Sequence, residues 1–131
     1  MLRKQISTAK AAEPSGHYSQ AIAIEARGKL VFISGMTARK PDGTLAGIGD
    51  VEAQTRQVCE NIKAAVEAAG GTMEDICRVD VYLRNIGDRE RVNKVRKQYW
   101  RTQPASTLVE VSKLASPEFL VEISAIAVVV A

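Results

Sequence analysis

The sequence has few of the residues that build metal and redox sites. Its 131 residues include a single histidine and two cysteines. Cys59 and Cys77 have no CxxC spacing and no histidine nearby in the sequence, which argues against a dedicated zinc site. We interpret both as reduced, buried thiols of a cytoplasmic protein, because disulfides are rare in that compartment. The sequence therefore predicts no metal centre.

Long hydrophobic runs are also absent from the sequence. The longest candidate, residues 119–131, contains Glu122 and is shorter than the about 20 residues that a membrane-spanning helix needs. The first residues are followed by polar and small side chains, not by an apolar segment with a cleavage site, which argues against a signal peptide. We therefore expect a cytoplasmic protein that has no membrane partner.

Neither sign of charge dominates the sequence. Its 18 lysines and arginines and 15 acidic residues give a net charge of +3, weaker than the imbalance of a dedicated nucleic-acid-binding protein. One segment is strongly basic, and its cations are Arg89, Arg91, Lys94, Arg96, Lys97 and Arg101. We interpret this segment as the solvated outer face of a helix, because aromatic residues for base stacking are few. Nucleic acid is not expected as a partner.

The remaining composition is that of a globular protein. Hydrophobic residues make up 46% and charged residues 25% of the chain, a balance that favours a packed core over disorder. The length fits one domain, which we assign to residues 1–131. No internal repeat or low-complexity segment divides the sequence.

Hydrophobic periodicity predicts two helices and several strands. Apolar residues at helical spacing follow Asp50, a predicted N-cap, and stop at Gly70. A second helix begins after Asp88, another predicted N-cap. Its inner stripe is Val92, Val95 and Tyr99. Predicted strands cover residues 30–34, 78–84, 107–111 and 119–130, the first of them buried, and residues 39–49 form a glycine-containing loop. This order of elements is typical of an α+β domain.

The last predicted strand, residues 119–130, is largely apolar on both of its faces. Two helices can cover only one face of the sheet that contains it. The other face needs a second cover, and in a chain of this size we expect another subunit to supply it. The pattern therefore predicts a homo-oligomer in which the last strand is buried.

Seven groups of residues between Pro14 and Ala127 form an ordered set of motifs. They lie at 14–21, 34–35, 54–70, 81–83, 92–99, 104–111 and 121–127; the first reads PSGHYSQA, the sixth PASTLVEV and the last VEISAIA. This set resembles the motifs of the Rid (reactive intermediate deaminase) family. The resemblance implies a chorismate-mutase-like α+β fold, with two helices packed on one mixed β-sheet. It also implies a barrel-cored homotrimer with clefts between its subunits.

The resemblance further implies a chemistry. Members of the family hydrolyse enamines and imines, often 2-imino acids, to the ketone and ammonia, without a metal or an organic cofactor. For this chain we therefore expect a small-molecule substrate and no cofactor. The stretch 34–44 is similar to the loop of 2-aminomuconate deaminases, in which Arg39 or Lys40 would hold a second carboxylate. The alternative for these two residues is exposed loop charge.

Two positions depart from the family pattern. Ser106 stands where the family usually has an arginine that holds the substrate carboxylate, and His17 stands where it usually has a proline. A charge-assisted hydrogen bond contributes about 1.5–3 kcal/mol. The loss of this clamp should therefore slow the turnover of a small 2-imino acid by roughly ten- to several-hundredfold. Either the substrate is not a simple 2-imino acid, or another cation replaces the arginine, or the protein has left this chemistry.

Glu122 interrupts the apolar last strand and is the candidate catalytic residue. A buried carboxylate without a partner is costly and tends to have a raised pKa. By resemblance, Glu122 would position the attacking water. The alternative is a structural carboxylate that is paired with an arginine or with backbone amides.

The candidate substrate-binding residues are Tyr18, Ser34, Gly35, Asn93, Ser106, His17 and Arg39. By resemblance they line one cleft, to which Tyr18 offers a ring and a hydroxyl. Ser106 has no suitably spaced aspartate and histidine partners, which argues against a serine nucleophile and favours a cleft-lining hydroxyl. For Tyr18, Asn93 and His17 the alternatives are an interface tyrosine, a helix-surface asparagine and a solvated histidine.

The sequence thus indicates one principal function and two alternatives. The principal one is a cofactor-independent hydrolytic deaminase of an enamine or imine intermediate, acting in clefts between subunits. The first alternative is a trimeric small-molecule-binding protein without catalysis, which Ser106 favours. The second is a ribonuclease or nucleic-acid-binding member of the same family, which the modest net charge disfavours.

Overall fold

The computed structural model describes residues 3–25 and 27–130. Met1, Leu2 and Ala131, which are the ends of the domain assigned from the sequence, lie outside the described residues, as does Ala26. The strands are β1 (Arg3–Ile6), β2 (Ala21–Ile24), β3 (Lys29–Met36), β4 (Ile76–Leu83), β5 (Ala105–Glu110) and β6 (Val121–Val129). The helices are α1 (Val51–Ala68) and α2 (Arg89–Tyr99). Two short 3₁₀ turns lie directly before β4 (Met73–Asp75) and directly before α2 (Ile86–Asp88).

The larger sheet is mixed and has the strand order β3-β6-β4-β5. Strand β6 is antiparallel to both β3 and β4, whereas β4 and β5 run parallel. Helix α2 connects these two parallel strands, as a parallel pair requires a crossover. The predicted α+β fold, two helices on one mixed sheet, is confirmed. The separate β1–β2 sheet was missed, because β1 is short and has no apolar alternation.

The core lies between the two helices and one face of the larger sheet. Val79, Val81 and Leu83, every second residue of β4, are fully buried there. The matching residues of β6 are Val121, Ile123, Ala125, Ala127 and Val129. Burial of a valine or leucine side chain contributes about 1.5–3 kcal/mol, so this face holds the sheet to the helices. The predicted alternation of residues 78–84 is confirmed.

The opposite face of the larger sheet is open in the single chain. Phe32 is 73% exposed and Leu30 is 62% exposed, while Ile33 on the same strand faces the core at 6%. The interpretation of residues 30–34 as a buried strand is therefore wrong for one of its two faces. No helix among the described residues covers that face, which confirms that two helices leave one side of the sheet free.

The first helix begins and ends as predicted. The Asp50 carboxylate accepts a hydrogen bond from the backbone nitrogen of Ala53 at 3.1 Å, which satisfies one free amide of the first turn. Gly70 follows the last turn with φ of +89°, a conformation that glycine adopts without steric cost. The predicted loop 39–49 is also confirmed, and a bridge between Arg39 and Leu45 closes it.

The second helix has a different start from the predicted one. Asp88 occupies the N-cap position, but its side chain caps no amide, because its backbone is helical (φ −85°, ψ 0°) and not extended. Instead, the Asn85 side chain accepts a hydrogen bond from the nitrogen of Gly87 at 2.9 Å in the preceding turn. The prediction of an Asp88 side-chain cap is wrong, although the helix itself is confirmed.

The described part of the chain, residues 3–25 and 27–130, contains no helix that is long and apolar enough to span a membrane.

Candidate functional site

A pocket of about 370 Å³ opens between residues 15–18, helix α2 and the start of β5. Its lining residues are Ser15, Gly16, His17, Tyr18, Ile86, Arg89, Asn93, Arg96, Ser106, Thr107 and Leu108. The volume is at the lower end of the range for small-molecule pockets, about 300–1,000 Å³. Four of the predicted site residues meet here: His17, Tyr18, Asn93 and Ser106. We call this site the α2 pocket.

Hydrogen bonds attach the loop of the α2 pocket to the segment before β5. The backbone nitrogen of Ser19 donates to the carbonyl of Pro104 at 3.1 Å. The Ser19 hydroxyl donates to the carbonyl of Gln103 at 2.6 Å. From the helix side, the Arg89 guanidinium donates to the carbonyl of Ser15 at 3.3 Å. The loop is therefore held at both walls of the pocket.

Arg96 is the central side chain of the α2 pocket, and the sequence interpretation missed it. It is only 2% exposed, so its assignment to the solvated face of the helix is wrong. One guanidinium nitrogen donates to Asn93 Oδ1 at 3.0 Å, and another donates to Ser106 Oγ at 3.2 Å. The signal was its spacing: Arg96 follows Val92 by four residues and therefore lies on the same inner stripe of α2.

The charge of Arg96 has no counter-ion in the described part of the chain. None of the ion pairs formed by these residues includes Arg96. Its Nε also has no hydrogen-bond partner among them. Burial lowers the pKa of Arg96 to about 10, which still leaves the guanidinium protonated at neutral pH. The pocket wall therefore carries a buried positive charge.

His17 and Tyr18 lie at the loop side of the α2 pocket. His17 is 7% exposed, so the alternative of a solvated histidine is wrong. Burial and then the nearby positive charges of Arg96 and Lys97 hold the pKa of His17 below its ordinary value. Its Nε2 has no hydrogen-bond partner in the described residues. The Tyr18 hydroxyl accepts a hydrogen bond from the backbone nitrogen of Ser15 at 3.3 Å.

Three other predicted site residues lie on the open face of the larger sheet or at its edge. Glu122 is half-buried on β6, opposite Tyr82 of β4. It packs against Gly35, where an added Cβ would lie 2.8 Å from the carboxylate carbon of Glu122. Glycine at this position therefore leaves room for the carboxylate. Ser34, the residue before it, is exposed.

The Glu122 carboxylate makes neither an ion pair nor a hydrogen bond with another side chain of the described residues. The ion pairs present there are Arg27–Glu25, Arg78–Asp80 and Lys94–Glu52. The alternative of a structural carboxylate paired with an arginine is therefore not found within the described chain. Glu122 is available to a ligand, to water or to another copy of the protein.

The two groups of predicted site residues lie on opposite faces of the sheet. Ser106 is in register with the buried Val79 and so points to the helix side. Glu122 is in register with Tyr82, which alternates to the other side. Arg39 lies with Gly35 in a separate cavity of about 610 Å³ beside the loop, and no predicted residue of the α2 pocket lines that cavity. A single chain therefore does not bring the predicted site together.

The two thiols are not suited to nucleophilic chemistry. Cys59 is fully buried, and burial raises the pKa of its thiol to about 12. Cys77 is only half-buried, which corrects the prediction of two buried thiols, and burial also raises its pKa. Both are free, and no cluster of metal-ligating side chains occurs within residues 3–25 and 27–130.

Comparisons with known proteins show the family to which the chain belongs. The sequence profile of the family described as Endoribonuclease L-PSP matches residues 8–129. A RutC family protein of Pyrococcus abyssi is 39% identical over 128 residues, which are 97% of this chain and 98% of that protein. YyfB of Yersinia pestis, from the conserved Rid protein family, superposes with a TM-score of 0.85 at 30% identity, covering 98% of this chain and 100% of its own.

A second solved structure is TdcF of E. coli with bound serine. It superposes with a TM-score of 0.70 at 33% identity, and the match covers 96% of this chain and 98% of TdcF. Profile, sequence relatives and solved structures thus agree over nearly the whole chain. The chain belongs to the Rid family, whose sequence profile carries the description Endoribonuclease L-PSP.

Proposed function

We propose that this protein hydrolyses an enamine or imine intermediate to a carbonyl compound and ammonia in clefts between copies of the chain. The observation that carries the proposal is the division of the candidate residues between the α2 pocket and the open face of the sheet. Each chain contains both groups of residues, but the two groups lie on opposite faces of its sheet and cannot form one site within that chain. Two copies that bring Glu122 of one beside the α2 pocket of the other would join them.

The proposed assembly is a homotrimer in which the open faces of three sheets pack into a barrel. Phe32 and Leu30, exposed in the single chain, would be buried there. Such large exposed apolar side chains on one face of a sheet favour a protein partner over solvent. The two helices cover one face of the sheet, and no helix of the described chain covers the other, as the sequence pattern predicts.

Glu122 is the proposed base of the reaction. A water molecule adds to the carbon of the protonated imine while the carboxylate accepts one of its protons, which leaves a hydroxyl group and a neutral amine on that carbon. The carboxyl group then returns the proton to the nitrogen, the carbon–nitrogen bond breaks, and ammonia leaves as the hydroxyl group gives its proton to the solvent and becomes the carbonyl. A half-buried carboxylate that forms no ion pair with the described residues fits this role, because its oxygens are free to accept a proton from water.

In this proposal Ser106 does not hold a substrate carboxylate. The hydroxyl of Ser106 is an uncharged group and cannot replace a guanidinium as an anion clamp. The relative TdcF was solved with bound serine, which is itself a small carboxylate-bearing molecule. The choice between anionic and neutral substrates therefore depends on which other cation faces the ligand.

The test is turnover of imines generated in situ by an amino-acid oxidase. Acceleration of their loss, with release of one ammonia for each carbonyl formed, is the expected result. A protein that binds the carbonyl product but accelerates none of the anionic or neutral imines would contradict the proposal. That outcome would indicate a small-molecule-binding protein instead.

A further inference from the structure

We propose that Arg96, reaching from helix α2, is the anion-binding residue of the α2 pocket and selects ligands that carry a carboxylate. This inference deepens the proposed function and rests on it for the identity of the reaction. The binding step itself is independent of turnover. It assigns to the helix the positive charge that the residue at position 106 does not provide.

The unpaired charge of Arg96 is costly. A guanidinium that is 2% exposed has lost most of its hydration, and no carboxylate within the described residues compensates it. Buried charges in proteins are normally paired, because an unpaired one destabilises the fold. An unpaired one at the wall of an open pocket indicates that its partner comes from outside the chain.

Two hydrogen bonds fix the orientation of the Arg96 guanidinium. Asn93 Oδ1 and Ser106 Oγ each accept a hydrogen bond from a different terminal nitrogen, at 3.0 and 3.2 Å. Both acceptors line the pocket, so they hold the planar group at its wall. Trp100 lies beneath it, with its ring centroid 6.0 Å from the guanidinium carbon. An orienting frame of this kind is typical of an arginine that binds a planar anion.

The rest of the α2 pocket is also suited to an anion. None of its lining residues is acidic, and a second arginine, Arg89, stands at its rim. The Nε2 of His17, buried and without a described partner, lies in the same lining. A pocket with two arginines and no carboxylate attracts anions and repels cations. Its small volume limits the anion to a compact molecule.

Arg96 also gives a role to the serine at position 106. The Ser106 hydroxyl lies 3.2 Å from a guanidinium nitrogen of Arg96, so an arginine side chain at position 106 would place two cations side by side. One of the two positions can carry the charge, and a small polar residue then fits the other. In this chain the charge is on the helix, and the serine orients it.

The experiment compares pyruvate with pyruvamide, its uncharged isostere, by titration calorimetry. The variants are Arg96→Met, which removes the charge, and Arg96→Gln, which removes it but keeps polar contacts to Asn93 and Ser106. Arg91→Gln is the matched control, since Arg91 is exposed on the same helix and does not line the pocket. Loss of a charge-assisted hydrogen bond predicts pyruvate binding about ten- to a hundredfold weaker in both Arg96 variants and unchanged in the control.

Thermal melting distinguishes a binding role of Arg96 from a structural role. If Arg96 were a structural residue, its replacement would lower the melting temperature. Replacement of an unpaired buried cation by methionine should leave the melting temperature unchanged or raise it. Pyruvate should raise the melting temperature of the unmodified protein and not that of Arg96→Met. If only Arg96→Gln folds, its calorimetry decides.

Three results would overturn the inference: equal binding of pyruvate and pyruvamide by the unmodified protein, binding of neither, or pyruvate binding that survives both substitutions at Arg96. The proposed function fails separately. A protein that binds pyruvate through Arg96 yet hydrolyses no imine keeps the anion site and loses the deaminase assignment. Conversely, hydrolysis of neutral imines by a protein that does not bind pyruvate would keep the deaminase assignment and contradict the anion site.

Discussion

The two faces of the larger sheet differ in how far one chain completes them. On the helix-covered face the apolar residues of β4 and β6 are buried, and the polar groups meet in the α2 pocket around Arg96. On the open face Phe32 remains 73% exposed, and the carboxylate of Glu122 has no partner in the described residues. One face is a closed core with a candidate binding pocket, and the other is an exposed surface with a candidate base.

This difference separates ligand binding from turnover, two roles that the sequence motifs assign to one cleft. In the proposed mechanism the α2 pocket binds the ligand within one chain, because its lining comes from one loop, one helix and one strand. In the same mechanism Glu122 on the open face acts on that ligand only when a neighbouring copy brings it close. Binding should therefore depend on residues of the covered face, while turnover should depend on both faces and on assembly.

The largest expected effect concerns Glu122 on the open face. Glu122→Gln keeps the size of the side chain but removes its basicity, so turnover of an accepted imine should fall about 10²–10⁴-fold, the usual contribution of a general base. Steady-state kinetics on the variant measures this effect. Glu118→Gln, an exposed carboxylate just before the same strand, is the control and should retain full activity.

Ligand binding by Glu122→Gln tests whether the α2 pocket binds independently of the open face. Pyruvate should bind as tightly as to the unmodified protein, because the α2 pocket is unchanged. Unchanged turnover in an intact oligomer would remove Glu122 from the mechanism. A large loss of binding would mean that the two faces do not divide the work as described.

The next effect concerns assembly through the open face. Phe32→Glu places a charge where the proposed trimer buries a phenyl ring, whose burial contributes about 1.5–3 kcal/mol per copy. Size exclusion with light scattering should show about three times 14.2 kDa for the unmodified protein and a smaller species for the variant. Ile48→Glu, at a residue that is 69% exposed in the loop before α1, is the matched control and should leave the mass unchanged. An unmodified protein that is monomeric at micromolar concentration would contradict the assembly.

The smallest effect is a pH dependence of stability from His17 on the covered side. Burial holds the pKa of His17 below its ordinary value, so the unfolded state binds the proton more readily. Stability should therefore be constant above about pH 6.5 and fall as the pH drops below it. Urea midpoints at pH 7.5 and 5.5 measure the fall, and His17→Gln should reduce it. Because the chain has one histidine, an equal fall in the variant would exclude His17 as its cause.

The sequence predicted the parts of the fold that are determined by local patterns. Helix α1 was predicted from cap to end, because Asp50 and Gly70 act within a few residues of themselves. The alternation of β4 predicted its buried face in the same way. The Asp88 cap was wrong, since the turn before α2 gives that residue a helical backbone that no propensity encodes.

The candidate site was less predictable, because it depends on contacts between distant segments. His17, Tyr18, Asn93 and Ser106 line one pocket of the single chain, whereas the resemblance implied one cleft for all seven candidate residues. Arg96 was assigned to the solvated outer face of the helix with the other five cations of its segment. Their clustering along the chain does not indicate which one lies on the inner stripe. The division of the residues between two faces was also beyond the sequence, since it requires the register of β5 and β6 against β4.

A mixed-oligomer experiment tests most directly whether the two faces of different copies form one site. Ser106→Phe fills the α2 pocket, and Glu122→Gln removes the base, so each variant alone should be inactive. In co-assembled trimers of equal parts, about a quarter of the clefts receive an intact pocket from one copy and an intact Glu122 from its neighbour. The account predicts recovery of about a quarter of the unmodified activity on mixing. No recovery in oligomers shown to contain both variants would contradict it.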